Sequence, residues 1–235
     1  MAKPQLFMLH SAGGSCYSFH FMLSFLDDFD VVALELPGRG KRVRETLLND
    51  FNDAALDIYH QLKQKLASSS FLIYGHSMGA YLGLKVASML EKDALFPRYL
   101  IVSGNAGPGI AEAIKRSTLQ KRELLKELEV LGGIQEDFKA NEELVDFFLP
   151  ILRSDFQMVE NNGIPEDLIV NTPLYAIMGN NEWRVERISN WGNFTTSDFE
   201  YEVMEGDHFF IHKHPERVAL IIKECYWRTA GKYSI

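Results

Sequence analysis

The sequence predicts an α/β domain, a mostly parallel sheet flanked by helices and interrupted by an inserted helical lid. Three observations carry this. Short apolar runs alternate with helix-period stretches through the first hundred residues and again from Pro173 onward. From about residue 110 to 168 only helical signals occur. Between an apolar run and a helix-period stretch lies Gly75-His76-Ser77-Met78-Gly79, a strand–turn–helix setting for a serine between glycines.

The elements follow in order. Gln5–Leu9 reads as a strand ending in the glycine-rich loop His10-Ser11-Ala12-Gly13-Gly14. A helix is expected from about Tyr17 to Leu26, with Phe21, Phe25 and Leu26 inward. Val31–Leu36 reads as a second strand, closed by Pro37-Gly38-Arg39-Gly40, which cannot continue it. Ala55, Ile58, Tyr59, Leu62 and Leu66 recur at three- and four-residue spacing, one buried helical stripe. Strand 71–74, the serine turn, helix 78–91 and strand Tyr99–Val102 complete the first half.

At Ser103-Gly104-Asn105-Ala106-Gly107-Pro108-Gly109 the rhythm changes. Lys115–Val130 is expected to be one charged helix, broken by Gly132-Gly133. Asn141 can cap a helix through Phe147 and Phe148, which Pro150 kinks or restarts, and Ile151 to Val159 is helical again. Residues 107–168 are therefore assigned to the lid, and 1–106 with 169–235 to the core. The core resumes with strands Leu174–Met178 and Phe199–Met204, and Pro215 opens a closing helix to about Trp227.

Composition bounds the function. A chain of 235 residues with 46% apolar content suffices for one packed domain with an insertion. No apolar run approaches the roughly 20 residues of a membrane span, and Met1-Ala2-Lys3-Pro4 leads straight into a strand without signal-peptide features. Two cysteines, Cys16 and Cys225, both in expected helices, make a disulfide framework improbable and favour a cytoplasmic location. A net charge of −8 argues against a nucleic-acid partner.

The serine turn points to nucleophilic catalysis. A turn this tight strains the serine and exposes its oxygen at the positive end of a helix, while flanking glycines let strand and helix approach. A base, an orienting acid and an oxyanion hole must accompany it. His208, in the loop Glu205-Gly206-Asp207-His208 after the last strand, is the best-placed base. Glu182, the one acid in Met178-Gly179-Asn180-Asn181-Glu182-Trp183, is the expected third member. Asp207 should point away from its neighbour, and Asp155 is a remote alternative in the lid. The backbone N–H of Met78 supplies one oxyanion donor and that of Ala12 the other. A metal held by His208, His212 and His214 lacks a fourth ligand at suitable spacing, and no cofactor is called for.

Five segments together resemble the type II (external, editing) thioesterases of non-ribosomal peptide and polyketide assembly lines. They are His10-Ser11-Ala12-Gly13-Gly14-Ser15, Glu35-Leu36-Pro37-Gly38-Arg39-Gly40-Lys41-Arg42, Gly75-His76-Ser77-Met78-Gly79-Ala80, Leu149-Pro150-Ile151-Leu152-Arg153-Ser154-Asp155-Phe156 and Gly206-Asp207-His208-Phe209-Phe210. The resemblance implies an α/β-hydrolase fold with a mobile lid, and hydrolysis of acyl groups from the phosphopantetheine thiol of acyl or peptidyl carrier domains in secondary-metabolite biosynthesis. It assigns Ser77 as nucleophile, His208 as base, and Ala12 and Met78 as oxyanion donors. Glu182 departs from the aspartate usual in the family, and Gly206-Asp207-His208 from its Gly-Gly-His. Phe147, Phe148, Phe156 and Met158 are expected to line the lid, and Arg39, Lys41, Arg42 and Arg44 to form a basic patch for an acidic carrier. A monomer is expected. Rival readings are a carboxylesterase or lipase, an acyltransferase sharing the covalent intermediate, and a catalytically silent binding protein.

Overall fold

The computed structural model describes residues 3–110, 114–134 and 136–230; residues 1–2, 111–113, 135 and 231–235, which fall in the expected core and lid ranges, lie outside it. Six strands, β1 (Gln5–Leu9), β2 (Asp30–Ala33), β3 (Phe71–His76), β4 (Leu100–Ser103), β5 (Leu174–Gly179) and β6 (Phe199–Met204), form one parallel sheet in the order β2-β1-β3-β4-β5-β6. The first five are largely apolar because both faces of a parallel sheet are covered.

Side chains alternate between the two faces. Phe7, Leu9, Ile73, Leu100, Val102, Ala176 and Met178 pack against α1 (Phe51–Lys65) and α2 (Met78–Lys92). Leu6, Met8, Leu72, Tyr74, Ile101 and Ile177 pack on the opposite face, against the last helix, Pro215–Ala230, and the 3-10 turn His20–Phe25. Helix α1 begins where the Asp50 carboxylate accepts the N–H groups of Asn52 and Asp53, at 2.8 and 3.0 Å.

The chain order reverses beside β1: β2 lies on one side of it and β3 on the other. In such a sheet a crevice opens outside the carboxyl ends of the two diverging strands. The loops after β1 and β3 carry Ala12 and Ser77.

Between β4 and β5 the chain forms α3 (Lys121–Val130), α4 (Glu136–Ala140) and α5 (Glu142–Glu160); the last helix is α6. Several expectations shift in detail. The segment 17–26 is turn and 3-10 helix rather than a full helix, because Ser18 Oγ accepts the Ser15 N–H at 2.9 Å and Ser15 C=O accepts the Ser18 N–H. Such local bonds compete with helix, and they leave Cys16 in a turn. The expected helix 115–130 is split, because Glu123 accepts the Gln120 N–H at 3.0 Å and starts α3 afresh. Pro150 instead lies inside a single α5. Cys16 and Cys225 are both buried free thiols.

Candidate active site

The serine turn has the geometry that its glycines require. Ser77 sits at φ 57°, ψ −114°, a conformation an L-residue rarely adopts. A Cβ on Gly75 would lie 2.1 Å from the Gly79 carbonyl oxygen, and one on Gly79 would lie 2.1 Å from that of Leu9. Strand, helix and neighbouring strand therefore meet at a distance only glycine permits. The turn is pinned from β4: Ser77 N–H donates to Ser103 C=O at 2.7 Å, and Asn105 Nδ2 donates to Ser77 C=O at 2.9 Å. Trp191, fully buried, donates its indole N–H to Asn105 C=O and fixes that loop in turn.

Three side chains from three loops are joined in series. Ser77 Oγ lies 2.9 Å from His208 Nε2, and His208 Nδ1 lies 2.8 Å from Glu182 Oε2. The other oxygen, Glu182 Oε1, accepts the Gly179 N–H at 2.7 Å, so the carboxylate is braced by the end of its own strand. The loops of Glu182 and His208 are also sewn together: Asn180 Oδ1 accepts the Gly206 N–H at 2.9 Å, and Asn181 N–H donates to Gly206 C=O at 3.0 Å. The extra methylene of a glutamate is accommodated by folding the chain back, with the Glu182 N–H bonded to Gly179 C=O.

Behind His208 lies a wall of aromatic rings from His76 and Phe209. The His76 ring lies 5.1 Å from the His208 ring, and its Nδ1 shares a hydrogen bond with Ser103 Oγ at 2.8 Å. Burial, reinforced by His208 and His212, pushes the His76 pKa well below its ordinary value.

Ser77, Ala12, His208, Phe156, Tyr81 and Trp183 line a cavity of about 420 Å³, within the size range of small-molecule sites. Met78 is the first residue of α2, where helix geometry leaves its N–H without a partner inside the helix. Of the residues expected to line the lid, Phe156 faces the cavity. Met158 does not; it is buried in the main core beneath the sheet. Phe148 packs with Phe138 and Phe147 away from the cavity, and Phe147 is 51% exposed.

The expected basic patch is not formed. Arg39 is buried, with both Nη groups on the Asp155 carboxylate, and Nη2 to Oδ1 measures 2.8 Å. Arg42 is folded onto Glu45 and Asp57. Of the four, Lys41 and Arg44 stay exposed, and neither pairs with a carboxylate among the described residues. Gly40 explains the compact motif: a Cβ there would fall 1.9 Å from Glu35 Oε2. Asp155, the remote alternative acid, serves Arg39 and the Gly13 N–H rather than His208. Asp207 does not take the place of Glu182: its carboxylate accepts the Phe209 N–H at 3.0 Å, and the residue lines the same cavity. His212 and His214 do not join His208 in a cluster able to hold a metal among the described residues. Sequence reading missed Asn105 as the clamp on Ser77; its position in a loop at the carboxyl edge of the sheet was the available signal.

A thioesterase-domain family model matches residues 4–226. The chain is 32% identical over 210 residues to the probable cadicidin biosynthesis thioesterase of Streptomyces griseus, an alignment covering 88% of this chain and 58% of that one. It is 30% identical over 217 residues to the gramicidin S biosynthesis protein GrsT of Aneurinibacillus migulanus, covering 90% and 84%. The solved structure of the type II thioesterase BorB, from the borrelidin biosynthetic cluster, matches with a TM-score of 0.87 at 28% identity, covering 95% of this chain and 93% of that one. The sheet and its flanking helices are those of the α/β-hydrolase fold. With the family model running through Ser77, Glu182 and His208, the chain belongs to the thioesterase family.

Proposed function

We propose that this chain is a serine thioesterase that removes acyl groups from the phosphopantetheine arm of carrier domains in a peptide or polyketide synthase. The observation that carries the reading is the unbroken series Ser77–His208–Glu182 opening into a cavity in a thioesterase-family chain. The relatives named for cadicidin, gramicidin S and borrelidin biosynthesis support the assembly-line setting.

In this reading His208 Nε2 accepts the Ser77 proton as Oγ attacks the thioester carbonyl. Glu182 holds the Nδ1–H tautomer and stabilises the imidazolium. The developing oxyanion is received by the N–H groups of Ala12 and Met78. Collapse expels the pantetheine sulfur, which takes the proton from His208 and leaves an acyl-serine. Water, deprotonated by His208, then attacks the ester through the same oxyanion site, and the serine leaves with that proton. All groups come from the protein and water. Residues 107–168 act as the lid of this site, with Phe156 as its apolar contact, and the protein works as a cytoplasmic monomer.

The test is a ranking of substrates by kcat/KM. An acetyl-loaded carrier domain should exceed acetyl-coenzyme A, and both should exceed a nitrophenyl acetate. Cleavage of the nitrophenyl ester alone would make the protein an esterase of the same fold.

A further inference from the structure

The donor at Ala12 sits on a loop, and a loop amide stabilises an oxyanion only if its direction is fixed before reaction. Two consecutive peptide planes are held here. The Ser11–Ala12 peptide is fixed through its carbonyl, which accepts the Gly14 N–H at 3.0 Å and the His10 Nδ1–H at 2.8 Å. Because a trans peptide is planar, its N–H on Ala12 points the opposite way. The next peptide, Ala12–Gly13, is fixed through its N–H, which donates to Asp155 Oδ2 at 2.8 Å. Gly13 is at φ +72°, and Leu152, one turn before Asp155 on α5, closes over it so tightly that a Cβ would lie 2.6 Å from Leu152 Cδ2.

Asp155 is 0% exposed, and the charge that makes its burial tolerable is Arg39, 2% exposed. Neither side chain is among the residues lining the cavity. We propose that Asp155, held by Arg39, is a positioning residue: it clamps the Ala12–Gly13 peptide so that the Ala12 N–H faces the oxyanion. The Pro-Gly-Arg-Gly turn and α5 thus act on the reaction without touching the substrate. This rests on the reading of Ala12 as an oxyanion donor.

Removing one partner would orphan a buried charge, so the test uses two charge-free pairs. R39M/D155N keeps an oxygen at residue 155 for the Gly13 N–H. R39M/D155L removes it while keeping the site apolar, a replacement that buried ion pairs often tolerate. The Leu pair should lose kcat about 100-fold, the size of effect that a misplacement of about 1 Å produces. Its KM should be little changed, and its affinity for a boronic acid that forms a tetrahedral adduct on Ser77 should fall in parallel. The Asn pair, with an unsatisfied amide, should be the less stable of the two on melting and yet the more active. Equal kcat in both, or loss that tracks Tm alone, would overturn the proposal. Gly13 amide exchange in the wild-type protein gives a reading independent of the variants: protection is expected, and exchange at open-loop rates would contradict the clamp. If wild type cleaves only a nitrophenyl ester, the carrier assignment fails, while the same comparison on that ester still decides the role of Asp155.

Discussion

Ser77 stores strain that the catalytic geometry requires. Residues at such φ, ψ values cost on the order of 1–3 kcal/mol, and Ser77 is held there by Ser103, Asn105 and two glycines with no room for a Cβ. Ser77→Gly and Ser77→Ala both remove the hydroxyl, so their difference isolates the strain. The glycine variant should be the more stable by about 1 kcal/mol, a Tm higher by roughly 2–4 °C in a chain of this size, and the reverse order would show the turn to be relaxed. At Glu182, substitution by Gln should cost about 10⁴-fold in kcat through loss of the imidazolium partner. Glu182→Asp should cost less but not restore full rate, because the 2.8 Å reach to His208 and the 2.7 Å brace to Gly179 cannot both be kept with one carbon fewer. Stopped turnover assays on both variants check this. Ser77 was legible from its glycine-flanked strand–turn–helix setting, and Glu182 and His208 from the loops that follow the last two strands along the chain. Arg39 was misread because charge in a sequence signals surface, and only the fold shows that Asp155, 116 positions later, meets it.

Among the elements, α5 and α3 behave differently although both lie between β4 and β5. Helix α5 is tied to the core by Asp155, by Ser154 Oγ donating to Leu48 C=O at 2.6 Å, and by Met158 in the main core. Helix α3 buries only Leu124 and Leu128, in a small separate cluster with Leu152 and Phe156. Local opening follows the amount of buried apolar contact. Amide exchange should therefore be slow over 151–158, near the rate of α2, and markedly faster over 121–130; equal protection would contradict this division. The sequence marked the helical block but not this asymmetry. Periodicity locates apolar faces and says nothing about which neighbour each face meets. Gly132-Gly133 likewise read only as a helix break, whereas their missing Cβ atoms make room for Asp207 and Phe209 beside His208.

At the scale of the whole molecule, acid sensitivity should begin with buried histidines. His76 and His10 both have pKa values lowered chiefly by burial, with Arg39 adding to the effect at His10. Their folded values lie below the unfolded value of about 6.5, so the unfolded chain binds more protons between the two. Stability is then fully present above about pH 6.5 and declines as pH falls below it. Melting curves from pH 7.5 to 5 should show Tm already dropping by pH 6; a plateau down to pH 5 would place the lability in the carboxylates instead.

The alternation of strands and helices made the sheet and its carboxyl-edge crevice legible, because apolar period and turn residues are local signals. The register of six strands and the convergence of the loops at their carboxyl ends are not local; they place Asn105 against Ser77, and helix α5 brings Asp155 to the Gly13 N–H. The central claim is that Ser77 carries the acyl group between a carrier thioester and water. It is tested most directly by mixing the enzyme with excess acetyl-loaded carrier domain, quenching in acid within the first turnovers, and locating acetyl groups by peptide mass spectrometry. The account predicts acetylation of Ser77 in the wild type, its absence in Ser77→Ala, and carrier deacylation slowed on the order of 10⁶-fold in that variant. Undiminished deacylation of the carrier by Ser77→Ala would contradict it.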